Sequence, residues 1–265
     1  MLEFQNVTFK YDEDNYEMLH DLSFQVQQGE FISLIGASGC GKSTIFRLIT
    51  KLLTPSSGSI LVDGENIQKK RNYAGYMPQK DLLFPWRTIE KNLYLPMEIQ
   101  KVPKDIMSQK ADDVLKQVGL MDYKYKYPKD LSGGMRQRIS FARTLLTDSD
   151  LMLLDEPFSA LDSLTRMDMQ EWLLNQWEHY HKTIMFITHD VEEAIFLSKR
   201  IFLITETPIT QLTVIDVPLS YPRHRSQLKQ PEIIELKEQL IGQLRLEAHK
   251  QQAFFNTMEK KGQVK

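Results

Sequence analysis

The sequence predicts an α/β fold around a mostly parallel sheet, and three observations lead to this expectation. First, short apolar runs typical of buried strands alternate with helical patterns, at residues 31–35, 151–154, 183–188 and 201–205. Second, a glycine-rich segment at residues 36–43 joins the first of these strands to a helical pattern. Third, the 265 residues are enough for one large or two small domains with a sizeable core.

Ahead of the glycine-rich segment, two stretches alternate apolar and polar residues, which predicts half-buried strands. The first stretch contains Leu2, Phe4, Val7, Phe9 and Tyr11, and the second contains Leu22, Phe24 and Val26. After the segment, apolar residues at helical spacing predict a helix through Ile45, Phe46, Leu48, Ile49 and Leu52. Short strands are then predicted at residues 59–62 and 73–77, the first of them followed by an Asp63-Gly64 turn.

The middle of the chain, residues 88–147, is predicted to be a helical insertion within the α/β domain. One helical face there contains Ile106, Val114, Leu115 and Val118. Prolines 218, 222 and 231 mark a linker, and an amphipathic helix follows through Ile233, Leu236, Leu240 and Leu244. We therefore expect a catalytic domain over residues 1–222 and a linker with a helical tail over residues 223–265. The tail's apolar stripe needs a surface, which could be its own domain or a partner subunit, and a regulatory role is also open.

Composition excludes several classes of function. The 33 Lys and Arg nearly balance the 35 Asp and Glu, for a formal net charge of −2, so no global basic field marks a nucleic-acid binder. Cys40 is the lone cysteine, so no intrachain disulfide can form, which favours a reducing, cytosolic setting. Neither a signal peptide nor an apolar run of the roughly 20 residues that span a bilayer is evident. A role at a membrane is therefore expected to come through a partner.

The glycine-rich segment matches a phosphate-binding loop. Its glycines let consecutive backbone N–H groups point at phosphate oxygens, and the helix that follows adds its positive end. Lys42 would reach the β- and γ-phosphates, and the Ser43 hydroxyl would serve Mg²⁺. Cys40 is interpreted as a small residue tolerated beside phosphate, the alternative being a thiol made reactive by the helix N-terminus. The loop comprises Gly36, Ala37, Ser38, Gly39, Cys40, Gly41, Lys42, Ser43 and Thr44.

Two carboxylates, Asp155 and Glu156, end the apolar run at 151–154 and precede Pro157. In parallel sheets such strand ends lie on the edge that carries the ligand site. Asp155 could hold Mg²⁺ through water, and Glu156 could polarise an attacking water. The alternative, two solvated carboxylates at a strand end, is weakened by the buried run and the proline, which fix the geometry.

A second glycine-rich helix start lies between these motifs, at Ser132, Gly133 and Gly134. Taken alone, it is read as a serine N-cap followed by two glycines. Placed between a phosphate loop and an acidic strand end, it predicts a second phosphate-binding segment. One copy of the chain could not use that segment on its own nucleotide.

The order of these three motifs resembles that of the ATPase subunits of ABC transporters, from about residue 11 to residue 189. The resemblance implies a P-loop NTPase fold of the ABC ATPase type, with a RecA-like parallel sheet core, an antiparallel β subdomain and an inserted helical subdomain at about 88–147. It implies ATP and Mg²⁺ as cofactors and a head-to-tail homodimer. In that dimer, Ser132, Gly133 and Gly134 hold the γ-phosphate of the nucleotide bound to the opposing subunit. Met135 stands where the family most often has Gln.

The resemblance assigns further roles. Gln79 would contact Mg²⁺ and the attacking water, and His189 would sense the γ-phosphate and support the transition state. Asp162 would lie in the loop 159–162 that crosses the dimer interface. Tyr11 would stack on adenine, with Tyr16 as a weaker candidate and a plain surface tyrosine as the alternative. Read singly, a solvated glutamine and a structural histidine would be the ordinary interpretations.

Residues 82–86, which read Leu-Leu-Phe-Pro-Trp, follow Gln79 and form an apolar cluster for a partner or, alternatively, for packing inside the helical insertion. In ABC importers this region borders the groove that receives a permease helix. Pro85 and Trp86 together with Met135 resemble the branch that imports nitrate, sulfonate, taurine and thiamine precursors, although the basic turn common in that branch is replaced by residues 206–210. The resemblance implies an importer ATPase at the cytoplasmic face of the membrane. Its partners would be permease subunits and, indirectly, an extracellular or periplasmic solute-binding protein, with no nucleic acid.

Two other classes remain as alternatives. One is the ATPase of an exporter or of a lipoprotein-release system. The other is a soluble ABC ATPase acting on ribosomes or DNA ends. That class usually has two fused cassettes or a long coiled coil between its half-motifs, whereas this chain has one cassette and a short distance from Gly41 to Ser132.

Overall fold

The computed structural model of the protein describes residues 2–14 and 16–260. The strands are β1 Leu2–Phe9, β2 Leu19–Val26, β3 Phe31–Ile35, β4 Ser57–Val62, β5 Glu65–Asn66, β6 Ala74–Met77, β7 Leu151–Asp155, β8 Thr183–Ile187, β9 Arg200–Leu203 and β10 Thr213–Asp216. The helices are α1 Lys42–Ile49, α2 Ile89–Ile99, α3 Lys104–Gln117, α4 Gly133–Leu145, α5 Ser163–Tyr180, α6 Val191–Leu197 and α7 Pro231–Lys260. None of the described helices is long and apolar enough to cross a membrane.

The chain divides into two compact units. The first combines the residues up to 71 with those from 181 onward, and the second comprises residues 72–180. The predicted helical insertion at 88–147 falls within the second unit, together with β6, β7 and α5.

The first unit contains an antiparallel sheet in the order β2-β1-β4-β5. Phe4 pairs with Phe24 on one side and with Ile60 on the other. The Phe4 and Phe24 rings stack with centroids 4.4 Å apart, which is the kind of cross-strand aromatic contact that stabilises a sheet. The two predicted half-buried strands are thus confirmed, and they form the antiparallel part of the fold.

The same unit contains a second, mostly parallel sheet. Strand β3 lies between β8 and β9 and runs parallel to both, while β10 pairs antiparallel with β9. Every residue of β3 and β8 is buried, as expected of strands covered on both faces. Because Leu34 pairs with Ile187, the segments that follow β3 and β8 leave the sheet at the same edge. The glycine-rich loop and His189 therefore share that edge.

In the second unit, β6 and β7 are parallel, with Met77 paired to Leu154. Gln79 and the pair Asp155-Glu156 consequently follow neighbouring strands at one edge. The unit also contains α2, α3 and α4, which pack on one another through buried residues such as Leu93, Leu115 and Ile139. The helical character predicted for residues 88–147 is confirmed.

Two residues assigned to apolar helix faces prove to be exposed. Leu52 lies beyond the end of α1, which is capped at Thr50, and its side chain faces solvent. Ile106 is likewise exposed, and its neighbour Met107 occupies the buried face of α3 with Val114 and Leu115. At about 100° per residue, Met107 lies about 20° from Val114 around the helix axis, whereas Ile106 lies about 80° away.

The tail helix packs on its own unit, which answers the question of where its apolar stripe docks. Ile233 and Leu240 are buried in a cluster with Val191, Ala194 and Ile195 of α6. The stretch before it is anchored as well, because the buried Arg223 donates hydrogen bonds to the carbonyls of Ile195, Phe196, Ser198 and Leu219. The Arg223 guanidinium thus donates to carbonyls at the C-terminal end of α6 that lack a partner within the helix.

Candidate active site

The glycine-rich loop has the backbone that a phosphate loop requires. Gly39 and Gly41 have φ values of 81° and 104°, a region that favours glycine, and Gly41 immediately precedes α1. At Gly36 there is no room for a side chain, since a Cβ atom would lie 2.7 Å from Cys40 Sγ and 3.1 Å from Ile204 Cβ. The loop can therefore curl tightly at the start of α1, where the helix directs its free N–H groups outward.

Lys42 is held inside this loop. Its ammonium donates hydrogen bonds to the carbonyls of Gly36 at 2.9 Å and Ala37 at 2.8 Å, and the side chain is buried. A buried cation at the start of a helix is suited to binding anionic phosphate. The neighbouring Cys40 is also buried, and burial raises the pKa of its thiol, which disfavours the reactive thiolate.

Tyr11 contacts the helix that follows the loop. Its hydroxyl lies 2.8 Å from the Thr44 hydroxyl, and its ring packs edge-on against Phe9 with centroids 4.8 Å apart. The contact with Thr44 places Tyr11 beside the first turn of α1. Its stacking on adenine stays a prediction.

His189 lies on an exposed turn that is held firmly by its neighbours. Thr188 accepts a hydrogen bond from the Asp190 N–H at 3.0 Å and donates one to the buried carboxylate of Glu193. Asp190 caps α6 by accepting from the N–H groups of Glu192 and Glu193. Sequence reasoning did not single out Thr188 or Glu193, although Asp190 before a helical run is a typical N-cap signal.

In the second unit, the structure brings Gln79 and Glu156 together. Gln79 Nε2 donates to Oε2 of Glu156 over 2.9 Å. Asp155, the last residue of β7, is buried. Glu156 has φ 51°, a left-handed conformation that costs a non-glycine residue about 1 kcal/mol. That backbone turn changes the course of the chain directly after the strand.

The second glycine-rich segment starts α4. The Ser132 hydroxyl accepts from the Met135 N–H at 3.3 Å and caps the helix, as the N-cap interpretation predicts. At Gly133 the nearest atom to an added Cβ would be Arg136 Nη2 at 3.9 Å, so the helix start is accessible there. At Gly134 an added Cβ would lie 3.2 Å from the Ala160 carbonyl oxygen, so this backbone packs closely on the loop 159–162.

Asp162 ends that loop on the surface. Its Oδ1 accepts from the Thr165 N–H at 3.0 Å, at the start of α5. Hydrogen bonds from Thr165 hold the pKa of the Asp162 carboxyl below its ordinary value.

The apolar loop 82–86 is largely exposed. Trp86 is 72% exposed and Leu82 also faces solvent, while Phe84 lies against Trp86 with ring centroids 5.2 Å apart. The fully buried Asn92 of α2 fixes this loop, since it accepts from the Phe84 N–H and donates to the carbonyls of Phe84, Arg87 and Thr88. Nothing in the sequence around Asn92 signals this role.

Helix α4 holds the start of the same loop. Arg136 Nε donates to Asp81 Oδ2 at 3.0 Å, and Arg143 donates to the carbonyls of Asp81 and Leu82 at 2.9 and 3.0 Å. The exposed aromatic loop and the glycine-rich start of α4 therefore belong to one connected assembly.

The residues predicted to serve Mg²⁺ have suitable donor atoms. Ser43, Gln79 and Asp155 offer hydroxyl, amide and carboxylate oxygens, which are the hard ligands that Mg²⁺ prefers. Among the described residues, no group of three or more His, Cys, Asp or Glu could hold a metal by itself. Mg²⁺ usually takes only one or two protein ligands and completes its shell with water and substrate phosphates, so single donors of this kind suit it.

Fold and motifs together define an ATP-binding cassette, and comparisons with known proteins agree. A family model described as ABC transporter matches residues 19–159. The chain is 42% identical over 235 residues to the formylaminopyrimidine import ATP-binding protein ThiZ of Halalkalibacterium halodurans, covering 89% of this chain and 90% of that protein. It is also 42% identical over 211 residues to the aliphatic sulfonates import ATP-binding protein SsuB of Bacillus thuringiensis subsp. konkukian, covering 79% and 82% of the two chains.

A solved structure has the same fold. It is an ATP-binding cassette in a dimeric, post-hydrolysis state bound to ADP and Pi, with a TM-score of 0.74, 26% identity, and coverage of 83% of this chain and 100% of that one. The chain therefore belongs to the ABC transporter family, as an ATP-binding subunit with the ATPase fold. The predicted family, fold class and enzyme class are confirmed.

Proposed function

We propose that this chain is the ATP-hydrolysing subunit of an importer, and that it works as a head-to-tail homodimer beneath two permease subunits. Each of two ATP molecules is bound by the Lys42 loop of one subunit and by Ser132, Gly133 and Gly134 of the other. ATP favours the closed dimer because the second phosphate contact exists only there. Hydrolysis removes that contact and lets the dimer reopen.

The observation that carries this proposal is the accessible helix start at Ser132–Gly134. A capped helix N-terminus whose first glycine has open space beside it offers N–H groups and a positive end to an anion. The cassette of the same fold that is dimeric and bound to ADP and Pi supports a dimeric assembly for this chain.

The roles of the remaining residues follow from their chemistry. Lys42 and the loop N–H groups bind the phosphates, and Ser43, Gln79 and Asp155 would hold Mg²⁺, which when bound adds positive charge beside the phosphate oxygens. Glu156 accepts a proton from the attacking water, a contribution typically worth about 10²- to 10⁴-fold in rate. His189 donates toward the γ-phosphate as negative charge develops there, and Tyr11 stacks on the adenine.

The exposed aromatic loop 82–86 is proposed as the permease contact. An exposed tryptophan at a preformed loop is a typical anchor for a protein partner, because its large rigid side chain loses little entropy on binding. Through Arg136 and Arg143 this loop is tied to α4, so a movement of the second phosphate-binding segment reaches the permease contact. The relatives named for import of formylaminopyrimidine and of aliphatic sulfonates suggest a small solute of this kind.

Complementation between two inactive variants tests the shared site. Lys42→Ala removes phosphate binding in one subunit, and Ser132→Arg blocks the second contact while leaving ATP binding to the monomer intact. Each variant alone is expected to lose turnover. A mixture of the two should turn over measurably faster than either variant alone, although well below the wild-type rate, because the heterodimer contains one site with both halves intact and one that stays empty.

A helix cap elsewhere on the chain provides the control. Asn66 also caps a short helical turn, by accepting from the Gln68 N–H at 2.9 Å, and Asn66→Arg should retain wild-type turnover. The shared site would be contradicted by wild-type turnover in Ser132→Arg, or by a wild-type rate per subunit that is independent of protein concentration at high dilution.

A further inference from the structure

The side chain of Gln137 occupies an unusual place on α4. It is only 4% exposed, and both ends of its amide are engaged. Nε2 donates to the carbonyl oxygen of Glu156 at 3.0 Å and to the Ser159 hydroxyl at 3.2 Å, while Oε1 accepts from the Ala160 N–H at 2.8 Å. This buried amide therefore bridges helix α4 to the segment that runs from Glu156 into the loop 159–162.

The atom that Gln137 contacts belongs to the strained residue of the site. Glu156 has φ 51°, and its carbonyl oxygen also accepts from the Ser159 hydroxyl at 3.0 Å and the Ser159 N–H at 3.2 Å. A left-handed conformation at a non-glycine residue persists when surrounding contacts fix it. Because the conformation of this backbone directs the Glu156 side chain, Gln137 helps to set where the carboxylate points.

A second contact links the same two segments. Gly134 approaches the loop so closely that an added Cβ would lie 3.2 Å from both the Ala160 carbonyl oxygen and Leu161 Cδ2. The helix start at Ser132–Gly134 and the residue that follows it by one turn, Gln137, thus both contact the loop 159–162. A displacement of the start of α4 is transmitted to this loop through a tight backbone contact and a buried amide.

We propose that Gln137 is a positioning residue that makes the alignment of Glu156 depend on the engagement of its own subunit's Ser132–Gly134. This inference rests on the proposed function. In the head-to-tail dimer, Ser132–Gly134 of one subunit binds the nucleotide of the partner, whereas Glu156 acts on the nucleotide of its own subunit. Gln137 therefore couples the two ATP sites: a site hydrolyses efficiently when the other site is also filled.

The test compares the dependence of turnover on ATP concentration in matched variants. Gln137→Met keeps the length of the side chain but removes both donors and the acceptor. The control is Ser140→Ala on the same helix, whose buried hydroxyl makes no hydrogen bond within the described part of the chain. ATP affinity of the monomer is measured beside turnover, since it reports the intact Lys42 loop and the fold.

For the wild-type protein and for Ser140→Ala we expect a Hill coefficient well above 1, with 2 as the limit for two sites. For Gln137→Met we expect a Hill coefficient of about 1 and a loss of about 10²-fold in kcat, the size typical of a misplaced catalytic group. The Kd for ATP of the monomer should stay within about twofold of wild type. A role in folding alone would not change the Hill coefficient of the molecules that remain active.

The proposal is overturned if Gln137→Met keeps the wild-type Hill coefficient. If Gln137→Met fails to bind ATP, Gln137→Glu takes its place, because it keeps an acceptor for the Ala160 N–H and loses the donor to Glu156. The same criterion applies to it. Failure of the proposed function itself has a different signature, since a wild-type Hill coefficient of 1 with a rate linear in protein concentration would contradict the dimeric site before any variant is considered.

Discussion

Gln79 Nε2 and Glu156 Oε2 lie 2.9 Å apart and are joined by a hydrogen bond, although 77 residues separate them in the sequence. Strands β6 and β7 are parallel neighbours, and each of the two residues follows its strand by one or two positions. The amide orients the carboxylate from one side, while the contacts to the Glu156 carbonyl fix its backbone from the other. Glu156 is therefore oriented before any substrate arrives, as its proposed role of general base requires.

Glu156→Gln is expected to bind ATP normally and to lose about 10²- to 10⁴-fold in kcat, because the amide cannot accept the proton of the attacking water. The variant should accumulate as an ATP-bound dimer, detected by light scattering. Glu65→Gln, an exposed glutamate on β5, is the matched control and should turn over at the wild-type rate. Phosphate release by Glu156→Gln at a rate near wild type would remove Glu156 from its assigned role.

Much of the fold could be predicted because the deciding signals are local. Unbroken apolar runs indicate the buried strands. Glycines at positions where the backbone takes positive φ, such as Gly39 and Gly41, indicate the phosphate loop. The predicted site residues fall at the ends of strands or the starts of helices, where such signals are strongest.

The contacts that escaped prediction depend on residues far apart in the sequence. Gln137 contacts residues about 20 positions away, and its burial is decided by how α4 packs on the loop 159–162. The choice of which face of α3 is buried also depends on tertiary packing that the sequence alone does not reveal. Ile106 and Met107 are both apolar, and only the packing of α3 selects Met107 for the buried face.

Asn92→Ala should loosen the aromatic loop without unfolding the protein. The change leaves the Phe84 N–H without its acceptor and removes the side-chain donor shared by the carbonyls of Phe84, Arg87 and Thr88, so we expect a loss of about 2 kcal/mol in stability. Amide hydrogen exchange in residues 84–88 should accelerate at least about tenfold, because the variant lowers the free energy needed to open this loop locally. Asn66→Ala removes an asparagine that serves only its own turn and should leave exchange in this loop unchanged. Unchanged exchange in Asn92→Ala would contradict the conclusion that the Asn92 side chain holds this loop in place.

The tail helix should contribute to the stability of the unit on which it packs. Leu240 is 1% exposed and lies in the cluster with Val191 and Ile195, so Leu240→Ala is expected to cost about 2–4 kcal/mol in the free energy of unfolding. Leu246, on the same helix but 63% exposed, provides the control, and Leu246→Ala should stay within about 0.5 kcal/mol of wild type. Denaturant unfolding of the full chain measures both. Equal and small effects would show that the helix does not depend on this contact.

A charged triad in the helical unit gives a prediction for pH. The Lys124 ammonium lies 2.6 Å from Asp112 Oδ1 and 3.3 Å from Glu90 Oε1, and these carboxylates raise the pKa of Lys124 above its ordinary value. A raised pKa in the folded state means that the stabilisation is fully present below the pKa of an unfolded lysine, about 10.4, and is lost as the pH rises through the folded pKa.

Lys124→Met should therefore cost about 1–2 kcal/mol in the free energy of unfolding, a value reduced by the partial exposure of both carboxylates. The cost should be constant between pH 7 and 9 and shrink only above about pH 10. Urea unfolding of wild type and variant across this range measures it, with Lys116→Met, an exposed lysine on α3, as the control. A cost that already declines between pH 7 and 9 would be incompatible with the raised pKa of Lys124.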